Sequence, residues 1–138
     1  MVKAKVIVAG EARGSLLVSR EPISFWGGVR AQTGDLIDRR HDRCGENIAG
    51  KVFAFPYEKG SSTGSAILLE AVRVGAAPAA LIVTKTPPVL ALGSIIAREL
   101  YGRAVPILTV SEAVFASLKD GMIATIGSDG SLELELGS

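Results

Sequence analysis

The sequence predicts an α/β domain built as three layers, two of β structure and one of helices, and three observations carry that expectation. Over the first 56 residues the apolar runs read as strands and no helical spacing holds. After Pro56 the pattern turns into strand, loop and helix units. From Met122 to Leu136 it reads as two more strands, joined at Ser128-Asp129-Gly130. The chain has 138 residues, 48% of them hydrophobic, enough for one core, so residues 1–138 are expected to form a single domain without internal repeats. An open α/β sheet with helices on both faces is the competing architecture, but it leaves the first 56 residues without helical cover.

In chain order, Val2, Ala4, Val6 and Val8 alternate with Lys3, Lys5 and Ile7, which predicts a strand over Val2–Val8 ended by Gly10. A second short strand covers Ser15–Ser19. Glu21 to Gly28 then sets Phe25 and Trp26 directly before a glycine pair, an irregular segment in which Trp26 is read as core packing. Thr33-Gly34-Asp35 signals a turn, and Asp38–Glu46 (DRRHDRCGE) a solvated loop. Lys51–Phe55 returns to strand character and stops at Pro56. The first helix is expected to begin near Ser62–Ser65 and to run to about Val74, with Gly75 as its stop. Ala80–Val83 makes a buried strand, and Leu90–Tyr101 a second helix that sets Leu92, Ile95, Ile96 and Leu100 on one face. Pro106–Val110 is a further strand, and Ser111-Glu112 opens a short helix to about Leu118.

Composition narrows the function. Fifteen Lys and Arg against fourteen Asp and Glu leave a net charge of +1, which offers no electrostatic footprint for nucleic acid or an acidic membrane. The amino terminus lacks the pattern of a signal peptide, and the apolar region 71–100 is interrupted by Gly75, Pro78, Lys85, Pro87 and Pro88, well short of the roughly 20 apolar residues of a membrane span. Cys44 is the only cysteine, so no internal disulfide forms and a reducing cytoplasm is expected. No second Cys or His accompanies Cys44 and His41, so no metal site is expected within the chain. His41, surrounded by Asp38, Arg39, Arg40, Asp42 and Arg43, reads as a solvent-exposed or interface histidine.

The segment Lys59-Gly60-Ser61-Ser62-Thr63-Gly64-Ser65 carries the most chemical information, because it follows a strand and enters a helix. Glycines let backbone approach a ligand, and the helix dipole favours an anion or an alkoxide at that end. The plain reading of the same residues is a helix cap, for which Ser and Thr are preferred. The order of residues is neither a Walker loop nor a nucleophile elbow. Thr86-Pro87-Pro88 lies after the strand Ala80–Val83, at the end of a strand where α/β sheets bind ligands, or else serves as a rigid loop.

Taken with their order, Phe25-Trp26-Gly27-Gly28, Thr33-Gly34-Asp35-Leu36-Ile37-Asp38 with His41 after it, the block Gly60–Ser65, and Ala77-Pro78-Ala79-Ala80 resemble the small subunit of the aconitase X family, the swivelling domain of aconitase-type dehydratases. The resemblance covers nearly the whole chain and implies a swivelling β/β/α fold paired with a large subunit that holds a 4Fe-4S iron-sulfur cluster and most of the pocket. One thiol could not hold such a cluster, so this chain would bind none alone. Archaeal members dehydrate (R)-5-phosphomevalonate to trans-anhydromevalonate 5-phosphate in a modified mevalonate pathway of isoprenoid biosynthesis. Bacterial relatives dehydrate cis-3-hydroxy-L-proline, often with the two parts fused, and a separate chain of this length is more similar to the archaeal kind. The resemblance makes the general base Ser61 or Ser62, with Ser62 the choice, and puts Gly60, Thr63, Gly64 and Ser65 around a small anionic substrate. Where aconitase carries an arginine this sequence has Thr63, so the clamp for the substrate carboxylate is expected from the partner. A non-catalytic module that captures a phosphorylated metabolite, and a purely structural subunit, are the readings from other classes.

Overall fold

The computed structural model describes residues 2–60 and 62–137. Ten strands and four helical segments follow in the order β1 (Val2–Lys3), β2 (Lys5–Val8), β3 (Ala12–Val18), α1 (Phe25–Gly28), β4 (Val29–Arg30), β5 (Asp35–Leu36), β6 (Val52–Ala54), α2 (Gly64–Val74), β7 (Ala80–Val83), α3 (Pro88–Tyr101), β8 (Ile107–Thr109), α4 (Glu112–Ser117), β9 (Ile123–Ile126) and β10 (Ser131–Glu135). Eight of the strands form one sheet in the order β1-β10-β9-β3-β6-β7-β8-β2, and β4 with β5 forms a small separate ribbon.

β1 and β2 stand at opposite ends of that order although only Ala4 separates them, so the two edges of the sheet must meet. The sheet therefore rolls into a near-barrel. Its strands change partners at two corners. β3 pairs antiparallel with β9 over Ala12–Ser15 and parallel with β6 over Leu16–Val18. The chain's first strand pairs with β10 as β1 and with β8 as β2. Such switches join two facing sheet layers without a free edge between them. At the β3 corner Gly14 is required, since a Cβ there would lie 2.9 Å from the Gly50 carbonyl oxygen.

The rolling produces two cores. Leu16, Val52, Ala54, Ala80, Ile82, Leu108, Ala124, Ile126 and Leu132 fill the space between the antiparallel and the parallel halves. On the outer side of the parallel half, Leu17, Phe53, Phe55, Leu81, Val83 and Ile107 meet Leu68 and Val72 of α2 and Leu90 and Ala97 of α3. Alternation along β7 sends Ala80 and Ile82 to the first core and Leu81 and Val83 to the second. The expected layers β, β and α are thus present, the first two being halves of one continuous sheet. A bulge between Val6 and Val8 turns Val8 from the first core to the second, which the alternation in sequence does not show.

The helix boundaries match expectation, with Gly75 and Gly102 closing α2 and α3 in the left-handed region. The buried face of α3 differs. Leu90, Gly93, Ser94 and Ala97 face the core, while Leu92 is 53% and Ile95 47% exposed. Small residues win this face because they let α3 approach α2 closely: a Cβ on Gly93 would stand 2.7 Å from the Ser65 carbonyl oxygen. Ser94 is fully buried and exchanges hydrogen bonds with the Val105 backbone, its Oγ donating to the carbonyl and accepting from the N–H.

Candidate active site

Beyond the carboxyl ends of β6 and β7 the chain encloses a cavity of about 350 Å³, walled by Phe25, Glu58, Lys59, Gly60, Gly64 and Lys85 among others. α2 and α3 both begin at this cavity. The location follows from topology, since parallel strands deliver their following loops to one end of the sheet.

The segment before α2 is held from several sides. Thr84 and Lys85 N–H groups donate to the Pro56 carbonyl at 3.0 and 3.3 Å, the Lys59 N–H donates to Ile23, and the Ile23 N–H donates to Tyr57. Gly60 then turns the chain at φ +91°, where a Cβ would meet Ser24 Oγ at 3.1 Å, so the turn needs glycine for conformation and for space. Ser61 lies outside the described residues. Gly60 and Gly64 line the cavity, while Ser62 and Thr63 between them are exposed and do not line it. Thr63 stands at the N-cap of α2, and among the described residues no side-chain cap bond forms there. Of the first-turn amides, Ser65 N–H donates to the Ser62 carbonyl and Ala66 N–H to the Thr63 carbonyl, a tightened first turn that leaves fewer open donors than the sequence suggests. Ser65 Oγ donates to the Ser62 carbonyl at 2.9 Å, so it braces the block from within.

Charge around the cavity is mostly positive at its edge. Lys59 and Lys85 are exposed, and Lys85 Nζ sits 5.1 Å from the centre of the Tyr57 ring, a cation–π contact that holds it over the opening. The one carboxylate in the wall, Glu58, is fully engaged, accepting from the Val89 N–H at 2.8 Å and the Leu90 N–H at 3.0 Å at the start of α3. Among the described residues no three His, Cys, Asp or Glu side chains are grouped so as to share a metal.

Two other expectations change. Trp26 is 57% exposed, and the buried neighbour is Phe25, whose ring packs against that of Phe55 at a tilt of 44°. α1 is one distorted turn with Gly27 at φ 81°, and that kink throws the indole outward. His41 is buried at 8% exposure, because Ser19 reaches across from the end of β3 to hold the loop 38–46. The Arg43 N–H donates to His41 Nδ1, so a neutral ring carries its proton on Nε2 and gives it to Ser19 Oγ, which in turn donates to Asp42. This polarity runs opposite to a hydrolase triad, in which serine donates to histidine. Asp35 receives Asn47 Nδ2 and Thr33 Oγ1, and these bonds hold its carboxyl below the ordinary range. That cluster fastens the β4–β5 ribbon. Glu58 and Lys85 were not singled out by the sequence for this site; the only signal was the place of Thr86-Pro87-Pro88 after a buried strand.

The aconitase X swivel domain model matches residues 1–134 of this chain. A cis-3-hydroxy-L-proline dehydratase of Pseudomonas aeruginosa is 41% identical over 134 residues, 97% of this chain, which spans only 23% of that protein's length. A phosphomevalonate dehydratase small subunit of Methanosarcina acetivorans is 39% identical over 135 residues, 96% of this chain and 90% of that subunit. The crystal structure of Thermococcus kodakaraensis aconitase X in its holo-form superposes with a TM-score of 0.85 at 36% identity, over 96% of this chain and 95% of that one.

Proposed function

The chain belongs to the aconitase X swivel-domain family, and from that premise we propose that it is the small subunit of a two-part hydro-lyase acting on (R)-5-phosphomevalonate. The product is trans-anhydromevalonate 5-phosphate, and Ser62 is the general base. What favours the phosphorylated substrate is the pair Lys59 and Lys85 at the cavity that Gly60 and Gly64 line. Two cations suit a molecule that bears a phosphate and a carboxylate. A zwitterionic amino acid has less use for both.

In this reading Ser62 Oγ, as alkoxide, takes the proton from the carbon next to the substrate carboxylate. The C–H electron pair becomes the new C=C bond, the neighbouring C–O bond breaks, and hydroxide leaves with its electrons; return of the proton from Ser62 to hydroxide gives water and restores the alkoxide. Serine is a weak base in water, and its alkoxide is usable only where positive potential holds it. In this reading the amino terminus of α2 supplies that potential, and Lys59, next to Gly60, adds a cation to the same cavity. The leaving hydroxyl requires a Lewis acid, which an iron-sulfur cluster on the large subunit would provide; no group of side chains in the described part of this chain is arranged for one.

The test is co-expression with a candidate large subunit, anaerobic purification and dehydration assays on both substrates. Turnover of 5-phosphomevalonate is expected, with kcat lowered on the order of 10² or more by Ser62→Ala and little changed by Ser61→Ala. Turnover of cis-3-hydroxy-L-proline alone establishes the second reading, which the Pseudomonas aeruginosa relative favours. An assembled complex inert toward both overturns both substrate assignments.

A further inference from the structure

The segment that carries the proposed base is fastened to a different helix from the one it begins. Glu58 lies two residues before Gly60, yet its carboxylate is bonded to Val89 and Leu90, 31 and 32 residues further on. α3 opens with Pro87 at its N-cap and Pro88 as its first residue, neither of which has an N–H. Its first internal bond runs from the Ala91 N–H to the Pro87 carbonyl. Val89 and Leu90 are therefore the only amides of that first turn left to donate, and Glu58 takes both. Glu58 thus leaves no open donor there for a substrate anion.

A second contact ties the far side of the block to the same helix. Gly93 of α3 lies against the backbone of Ser65, so closely that a Cβ would come within 2.7 Å of its carbonyl oxygen and 3.1 Å of its Cα. Val89 also reaches the site of Gly64, at 3.6 Å from a Cβ built there. Gly60 and residues 62–64 consequently lie between two anchors on one 14-residue helix, Glu58 before them and Ser65 after them.

We propose that Glu58 is a positioning residue for the dehydration: its carboxylate, clamped on the amides of Val89 and Leu90, sets where the serine block stands relative to the cavity. It does not exchange a proton with substrate, because both its oxygens are committed to those amides. The inference rests on the reading of Ser62 as base. A displaced base should slow the chemical step far more than it weakens binding, since a shift of about 1 Å can cost on the order of 10² in rate.

The test uses the complex assembled with the large subunit and compares Glu58→Ala, Glu58→Gln and Ser62→Ala. Glu58→Ala is expected to lower kcat at least about tenfold while KM stays within about threefold. Glu58→Gln keeps one oxygen acceptor for one amide and should recover part of that loss, an order that a residue serving only overall stability would not impose on kcat below the melting range. A second readout needs no turnover. In amide NMR spectra of the full chain, Glu58→Ala should shift Val89, Leu90 and residues 60–64 together, whereas Ser62→Ala should leave Val89 and Leu90 in place. If Glu58→Ala keeps kcat within about twofold while Ser62→Ala abolishes turnover, or if the signals of residues 60–64 do not move, the proposal is wrong. If Ser62→Ala retains full turnover, the assignment of the base fails instead, and the amide shifts alone decide whether Glu58 holds the block.

Discussion

Two helices start at the same cavity and are treated in opposite ways. α3 begins with two prolines, and its remaining first-turn amides are closed by the Glu58 carboxylate. α2 begins with threonine, glycine and serine, has no acidic residue in its first turn, and among the described residues has no side-chain cap bond. The charge at the start of α3 is neutralised within the protein, so that end is structural. The charge at the start of α2 is left to act on whatever occupies the cavity. Capping residues at a helix start are therefore not evidence of capping, and a carboxylate on a distant segment can do that work instead.

Substitutions can break this contrast. The largest effect on stability is expected from Gly93→Ala, which drives a methyl group into the Ser65 backbone and should cost about 1–3 kcal/mol, read as a lower urea midpoint. Because the clash pushes on the first turn of α2, kcat of the assembled complex should fall with it. Gly60→Ala forces a side chain into left-handed backbone at φ +91° and should cost roughly 1–2 kcal/mol. Gly64→Ala sharpens the comparison, since its Cβ would find only ordinary contacts with Val89 and Phe25 at 3.6 and 3.7 Å. Its urea midpoint should hold or rise, by at most about 1 kcal/mol. Lys85→Met removes one of the two cations at the opening and should raise KM for the phosphorylated substrate several-fold with kcat little changed.

The smallest effect concerns a charge remote from both helices. Asp129, in the β9–β10 turn, accepts from the Ser131 N–H and from Lys3 of β1, and these bonds hold its carboxyl at about 2 against an ordinary 3.8. A carboxyl lowered on folding stabilises the native state fully above its ordinary value, and the contribution is lost as pH falls through the folded value. Wild type and Asp129→Asn should differ slightly in urea midpoint above about pH 4 and converge near pH 2.

Local signals carried much of the fold and part of the site. Ala80–Val83 reads as a buried strand because both its faces are covered, and Gly75 and Gly102 stop their helices by a property of one residue. The block 60–65 is visible because Gly, Ser and Thr at a helix start form a compositional event. What was missed depends on contacts far apart in sequence. Large apolar residues mark Leu92 and Ile95 as a core face, yet α3 turns Gly93 and Ala97 inward because α2 comes too close for anything bigger. His41 sits in a polar run and is buried only because Ser19, 22 residues earlier, hydrogen-bonds it. The link from Glu58 to α3 has no local signature at all.

The closure of the sheet also bears on how the molecule is made. Lys3 pairs with Ser131 and Lys5 with Thr109, so the first strands of the domain find their partners far along the sequence. The eight-stranded ring closes only through these distant pairings, and long-range pairings of this kind make folding slow relative to helical domains of equal size. Until closure the Val2–Val8 segment keeps its backbone unpaired, a window in which strand exchange between copies competes with it.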